Sequence, residues 1–150
     1  MAIEIETLLS PSATTALTLV KAAVEHGCSI GVFVSATACD TTGRAIATLL
    51  HPKAPTECAK IARDKASIAA GFRLNTDQLY REIAETEALK LGLATRKGFA
   101  LFGGGSPITL HGEIVGGLGV SGGSELQDQE CVKRALEALE QHMQQLSATL

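Results

Sequence analysis

Two charged residues stand where helical spacing puts apolar ones. After Pro55, the residues Cys58, Ile61, Ala62, Ala69 and Phe72 recur at helical intervals, and Lys65 falls inside that stripe, four residues after Ile61. Near the C-terminus, Val132, Ala135, Leu136, Leu139, Met143 and Leu146 form a second stripe, with Asp128 four residues before Val132. An inward charge is costly unless it is paired or lines a cavity. Two readings are open. In the first, Lys65 and Asp128 line one pocket as an ion pair. Lys65 then serves as an electrostatic or imine-polarising group and Asp128 as an acid–base group, the equipment of a small-molecule deaminase, hydrolase or isomerase. In the second, Lys65 snorkels to solvent and Asp128 only complements a helix dipole.

A concentration of glycine supplies the rest of a possible site. Ten of the 15 glycines lie between Gly98 and Gly123. Along Glu113–Ser121 one strand face carries Ile114, Gly116, Leu118 and Val120, and the other carries Val115, Gly117, Gly119 and Ser121. The second face is nearly bare, so it admits either a flat ligand or a closely packed helix. Beyond it, Gly122-Gly123-Ser124 leads into a helix start, where unpaired N–H groups favour a carboxylate or propionate. A capping loop that satisfies itself is the alternative.

The histidines are His26, His51, His111 and His142, and none pairs with another at a metal-ligand spacing, so a zinc site is not expected. Any of them could ligate haem iron axially. His51, ending a strand beside Pro52 at a potential pocket rim, is the leading candidate and a second acid–base candidate; His111 occupies a turn and His142 adjoins Met143. The Gly-x-Gly fragments lack a strand–helix context, and there is no Gly-Lys-Ser/Thr for a phosphate loop. Gly119-Val120-Ser121-Gly122-Gly123 nearly meets a nucleophile elbow, but the chain is short and has no alternating βαβ units.

The elements that must position these residues belong to an α/β (α+β) domain spanning 1–150. The 150 residues are 45% hydrophobic and 19% charged, a globular balance, and aromatics are only 3%. A net charge of −3 with no basic segment argues against nucleic-acid binding. No apolar run is long enough to span a bilayer, and the acidic start Met1–Glu6 is no secretory signal, so a cytoplasmic protein with reduced thiols is expected. Ser10-Pro11 reads as a cap and first turn for a helix ending at Gly27. Strands follow from Ser29 to Thr37 and from Arg44 to Leu50, turning at Asp40-Thr41-Thr42-Gly43. Helices are expected at 56–72 and 76–91, then a strand at 99–102. A hairpin with strands 107–110 and 113–121 turns at His111-Gly112, and a capping box at Ser124–Gln127 opens a helix to Leu146.

Gly104-Gly105-Ser106-Pro107-Ile108, the run Gly112–Gly123 and Gln127-Asp128 resemble the signature of the GlcG/HbpS family, which includes the C-terminal domain of PduO-type proteins. Asp40-x-x-Gly43 and Ala62-x-x-Lys65-Ala66, with Ala69, Phe72 and Thr76, extend the resemblance, which runs from about Thr15 to Leu139. It implies a profilin-like α/β/α domain with an antiparallel sheet of about five strands, assembled as a homo-oligomer. It also implies haem or tetrapyrrole binding. The expected ligand site is the face of Gly117, Gly119 and Ser121, with propionates at Gly122-Gly123 and His51 on the iron. The chain departs from the family pattern at Leu50-His51-Pro52-Lys53 and at Cys39–Gly43. A catabolic enzyme and a ligand-free assembly module, the latter favoured if the glycine face is packed shut, stand as alternatives.

Overall fold

In the computed structural model, which describes residues 1–150, Ser12 rather than Ser10 caps the first helix, α1 (Ala13–Ser29). The Thr15 N–H donates to Ser12 Oγ at 3.1 Å, so Pro11 precedes the cap instead of opening the first turn. The helix continues through Gly27, because that glycine serves close packing: a Cβ there would stand 3.1 Å from both Val32 O and Val34 Cγ2.

The first hairpin joins β1 (Ser35–Asp40) and β2 (Ala45–Leu50). Next come α2 (Glu57–Phe72), α3 (Thr76–Ala84) and α4 (Glu87–Ala94). The single helix expected over 76–91 breaks at Thr86, whose extended backbone with Glu87 after it makes a fresh helix start. β3 (Gly105–Leu110) and β4 (Glu113–Ser121) form the second hairpin, and α5 (Glu125–Thr149) closes the chain. Their turn places His111 at φ 51° and Gly112 at φ 80°, the left-handed pair that a two-residue hairpin turn requires.

The sheet has four antiparallel strands in the order β2-β1-β4-β3, one fewer than the sequence pattern suggested. Residues 99–102 form no strand, because their partners lie elsewhere. Phe99 packs edge-on against Phe72, and the Phe102 carbonyl accepts from Thr76 Oγ1 at 2.7 Å. β1 likewise starts at Ser35, after a connection from α1 that includes the Ile30 N–H bonds to His26 O and Gly27 O.

Helices cover both sheet faces, giving the α/β/α layering that the resemblance implied. Against α1 and α5 lies a bulky aliphatic core with Leu19, Val20, Val34, Ile108, Leu118, Val120 and Val132. Each fully buried side chain of this kind contributes about 1.5–3 kcal/mol. Under α2 the packing is small: Cys39, Ala66 and Ala70 form their own cluster. β1 is therefore buried along its whole length. No helix is long and apolar enough to cross a membrane.

Candidate functional site

The bare face of β4 is occupied by α2. In register, Gly119 pairs with Thr37 and Gly105, while Gly117 pairs with Cys39 and Pro107, so glycine recurs directly beneath the helix. A Cβ on Gly117 would overlap the Ala66 carbonyl oxygen, and one on Gly119 the Ala62 carbonyl oxygen. A Cβ on Gly105 would stand 2.6 Å from Lys65 O. The helix backbone thus rests on the strand backbone with nothing between. The expectation of a flat ligand on Gly117 and Gly119 is corrected here: the same lack of side chains that would admit a ligand has admitted a helix. Burial on this face also pushes the Cys39 thiol up to about 11.

Sinking α2 onto glycine carries Lys65 into the interior. Its Nζ donates to Asp128 Oδ2 at 2.8 Å and to Val120 O at 2.9 Å, and lies 4.6 Å from the centre of the Phe102 ring. The side chains of Lys65 and Asp128 are 0% and 4% exposed. The ammonium fits because residue 104 is glycine at φ 115°; a Cβ there would stand 2.8 Å from Nζ. Burial holds Lys65 below its ordinary 10.5 and Asp128 above its ordinary 3.8, and the mutual attraction of the pair works against both shifts. The two residues therefore meet, as the first reading expected, but as an enclosed pair. With no exposed reactive atom on Lys65, the pair fastens α2, β4, α5 and the 102–104 loop together and offers no room for a substrate.

The helix-start anion site is filled from within. The Gly123 N–H donates to Asp128 Oδ1 at 2.9 Å, and the Ser124 N–H donates to Gln127 Oε1 at 2.9 Å. The Gln127 N–H returns to Ser124 Oγ at 3.2 Å, completing the capping box. Gly122 is pressed against β1's approach, where a Cβ would meet Val34 Cα at 2.8 Å. Ser121 is buried beside Ser35. An external propionate at Gly122-Gly123 would have to displace the Asp128 carboxylate, which corrects that expectation too.

His51 makes its contacts away from the ion pair. Its ring stacks on Phe33 with centroids 4.5 Å apart, and its Nδ1 accepts from the Lys53 N–H at 3.1 Å. A neutral His51 bonded in this way keeps its proton on Nε2, so the ring's lone pair is already engaged. Lys53 Nζ lies 5.1 Å from the Phe33 ring, closing a small cluster at the surface. As an iron ligand, His51 would first have to give up this bond.

Sequence reasoning missed a groove on the α1/α5 side of the sheet. One cleft of about 250 Å³ is lined by Thr14, Leu110, His111, His142, Met143 and Leu146, among others. A second, of about 340 Å³, shares His111, Leu139 and Met143 with it. The available signal was on α5, where Leu139, His142, Met143 and Leu146 share one helical face. A larger cleft of about 400 Å³ near Ser106 is mostly polar, with Asn75, Asp77, Lys133, Glu137 and Glu140, and contains no imidazole, thiol or thioether.

Comparison with known proteins matches residues 12–137 to the family described as haem degrading protein HbpS-like. The corrinoid adenosyltransferase PduO of Salmonella typhimurium is 31% identical over 123 residues, covering 81% of this chain and 36% of that protein. The chain thus spans about a third of that relative's length. The crystal structure of HbpS superposes with a TM-score of 0.81 at 26% identity, covering 91% of this chain and 94% of the other. That of the PduOC–haem complex gives 0.78 at 30% identity, covering 87% and 95%.

Proposed function

This chain belongs to the HbpS-like family, and from that membership we propose that it binds haem or a related tetrapyrrole. The observation that carries this reading is its likeness, at 30% identity and a TM-score of 0.78, to a structure solved as a haem complex. The glycine face is shut by α2, the Gly122-Gly123 start is bonded to Asp128, and His51 holds its lone pair to Lys53. The groove around His111 offers imidazole and thioether side chains, both known iron ligands, beside Leu110, Leu139 and Leu146. When bound, haem supplies a redox-active iron whose behaviour depends on its axial ligand. The leucines of the groove would exclude water from the macrocycle, and Thr14 at its rim offers a hydroxyl to a polar substituent.

Haemin titrated into the purified chain should give a saturable Soret shift at a fixed stoichiometry. A featureless, non-saturating absorbance would overturn the reading. Enzymatic use of Lys65 and Asp128 finds no support in their enclosure, and a small carboxylate meets the same occupied helix start as a propionate.

A second reading, self-assembly, is favoured by a separate observation. No residue of α4 is buried, although the helix carries Leu89 and Leu91 at 47% and 62% exposure. An apolar helix left in water is the mark of a surface awaiting a partner, and a second copy of this chain is the partner we propose. The two readings are compatible, since α4 and the groove lie on different elements.

A further inference from the structure

The strand order β2-β1-β4-β3 leaves two free edges, β2 and β3. An edge strand carries backbone N–H and C=O groups with no partner in the sheet, a template for one more strand. On β2 their phase follows from the His51 N–H, which donates to Val34 O at 3.1 Å. Antiparallel pairing alternates, so Leu49 turns its backbone groups toward β1 while Thr48 and Leu50 turn theirs away. Thr48 and Leu49 are exposed.

The chain also holds a strand-like segment with nothing to pair with. Residues 1–8 belong to no helix or strand, and their backbone makes no hydrogen bond within the chain. In Ala2-Ile3-Glu4-Ile5-Glu6-Thr7, isoleucine and glutamate alternate with the period of a half-buried strand. Yet Ile3 and Ile5 stand 95% and 94% exposed. Leu9 anchors the segment: its carbonyl accepts from the Thr41 N–H at 3.3 Å and the Thr41 hydroxyl at 2.9 Å. That anchor lies in the β1–β2 turn, where Leu8 and Leu9 share a cleft with Arg44, the residue directly before β2. The segment therefore leaves the chain beside the start of a free edge.

We propose that residues 2–7 form a fifth strand on the β2 edge of a second copy of this chain, which returns its own segment in exchange. The length agrees. Six extended residues reach about 20 Å, and β2 has six residues. Charge chooses between the two edges. β2 contains no charged residue and is flanked by Arg44 and Lys53, which complement Glu4 and Glu6. Arg44 meets Asp40 through Nε, so its terminal nitrogens are free. The clefts beside β3 are lined instead by Glu137 and Glu140, and Pro107 within β3 has no N–H to offer. On the docked strand Ile3 and Ile5 share one face, and β2 presents the half-exposed Leu49 to an apolar neighbour. Every copy carries both segment and edge, so a reciprocal exchange closes a two-fold pair. The contact uses neither α4 nor the groove around His111, so it is independent of both readings above.

Amide hydrogen exchange, resolved by NMR, tests the exchange of strands. In the full chain, the amides of Ile3–Glu6 and of Thr48 and Leu50 should be protected. A variant lacking residues 2–7 should lose protection at Thr48 and Leu50, and Ile5→Pro, which removes a pairing N–H, should do the same. Both changes touch only exposed residues, so circular dichroism should not change. Glu4→Lys with Glu6→Lys should also lose protection, and adding Lys53→Glu should restore part of it. The decisive sample is the isotope-labelled variant lacking residues 2–7, co-refolded with unlabelled full chain. Protection should return at its Thr48 and Leu50, because the segment arrives from another copy. If it does not return although the full chain alone is protected, the strand lies on its own chain's edge and the proposal is overturned. It is overturned equally if residues 3–6 exchange as a free peptide, whereas the α4 reading survives either result. Leu89→Glu with Leu91→Glu should leave this protection in place; its loss there would show that the segment has no docking site of its own.

Discussion

Lys65 Nζ and Asp128 Oδ2 stand 2.8 Å apart, joining the middle of α2 to the first turn of α5 beneath the 102–104 loop. Neither charge reaches solvent, so each is the other's main compensation for lost hydration. Lys65→Met should therefore destabilise the fold by about 3–5 kcal/mol, the range for removing one partner of a buried pair. Asp128→Asn should fall in the same direction. A double variant, Lys65→Met with Asp128→Leu, should recover much of the loss because no orphan charge remains. Urea denaturation of the three proteins reads the order directly; a double variant no more stable than the worse single one would contradict it.

Gly119 and Gly71 should respond to alanine with opposite signs. At Gly119 the added methyl overlaps the Ala62 carbonyl, so α2 must lift from the sheet, an overpacking change of about 1–3 kcal/mol. At Gly71, within α2, nothing lies within 4 Å of the added atom. Alanine there should stabilise by about 0.5–1 kcal/mol through helix preference. Thermal midpoints of Gly119→Ala and Gly71→Ala, measured side by side, check both.

The acid limb of stability should depend on Asp40. Burial raises its carboxyl, but the Thr42 hydroxyl, the backbone N–H groups of Arg44 and Thr42, and the Arg44 guanidinium outweigh burial and hold it below the ordinary 3.8. A carboxyl depressed on folding contributes stability that is fully present above its unfolded value and is lost as pH falls through its folded value. The advantage of wild type over Asp40→Asn should be constant near neutrality and shrink below about pH 4. Denaturation midpoints of both proteins across an acid series measure it, and a gap that widens as pH falls would contradict the sign.

Self-association should depend on α4. Leu89→Glu with Leu91→Glu places charge on a helix that buries nothing of its own, so the folded chain should be unaffected. Light scattering after size exclusion should show the wild type as an oligomer and the variant as a smaller species. A wild type that runs as a monomer would remove this reading.

The Lys65–Asp128 meeting was legible in the sequence because each charge broke an apolar stripe, and a broken stripe is a local signal. The openness of the glycine face was not legible. A bare strip looks the same along the chain whether a helix or a ligand lies on it, and the occupant, Ala62 to Ala70, is set by tertiary packing. Phe99–Phe102 misled for a related reason: its apolar residues are satisfied by Phe72, Thr76 and Lys65, not by a neighbouring strand. His111 and His142 each looked solitary, since a hairpin turn and a distant helix share no periodicity that would reveal a common cleft. The family signature carried the layering and the antiparallel sheet; it could not say which histidine faces which space.

Position 104 ties the history of this protein to the order in which its residues can change. The Lys65 ammonium, Asp128 Cβ and Val120 O each stand 2.8 Å from where a Cβ on residue 104 would be. A descendant that acquires alanine at 104 while keeping the lysine is penalised at once. One that first replaces Lys65 with a shorter side chain removes only one of the three obstacles, leaves the Val120 carbonyl and Asp128 Cβ in place, and strands the Asp128 carboxylate. Each single step leads downhill, so the three positions should persist or turn over as a set, and sequences that retain the lysine should retain glycine at 104.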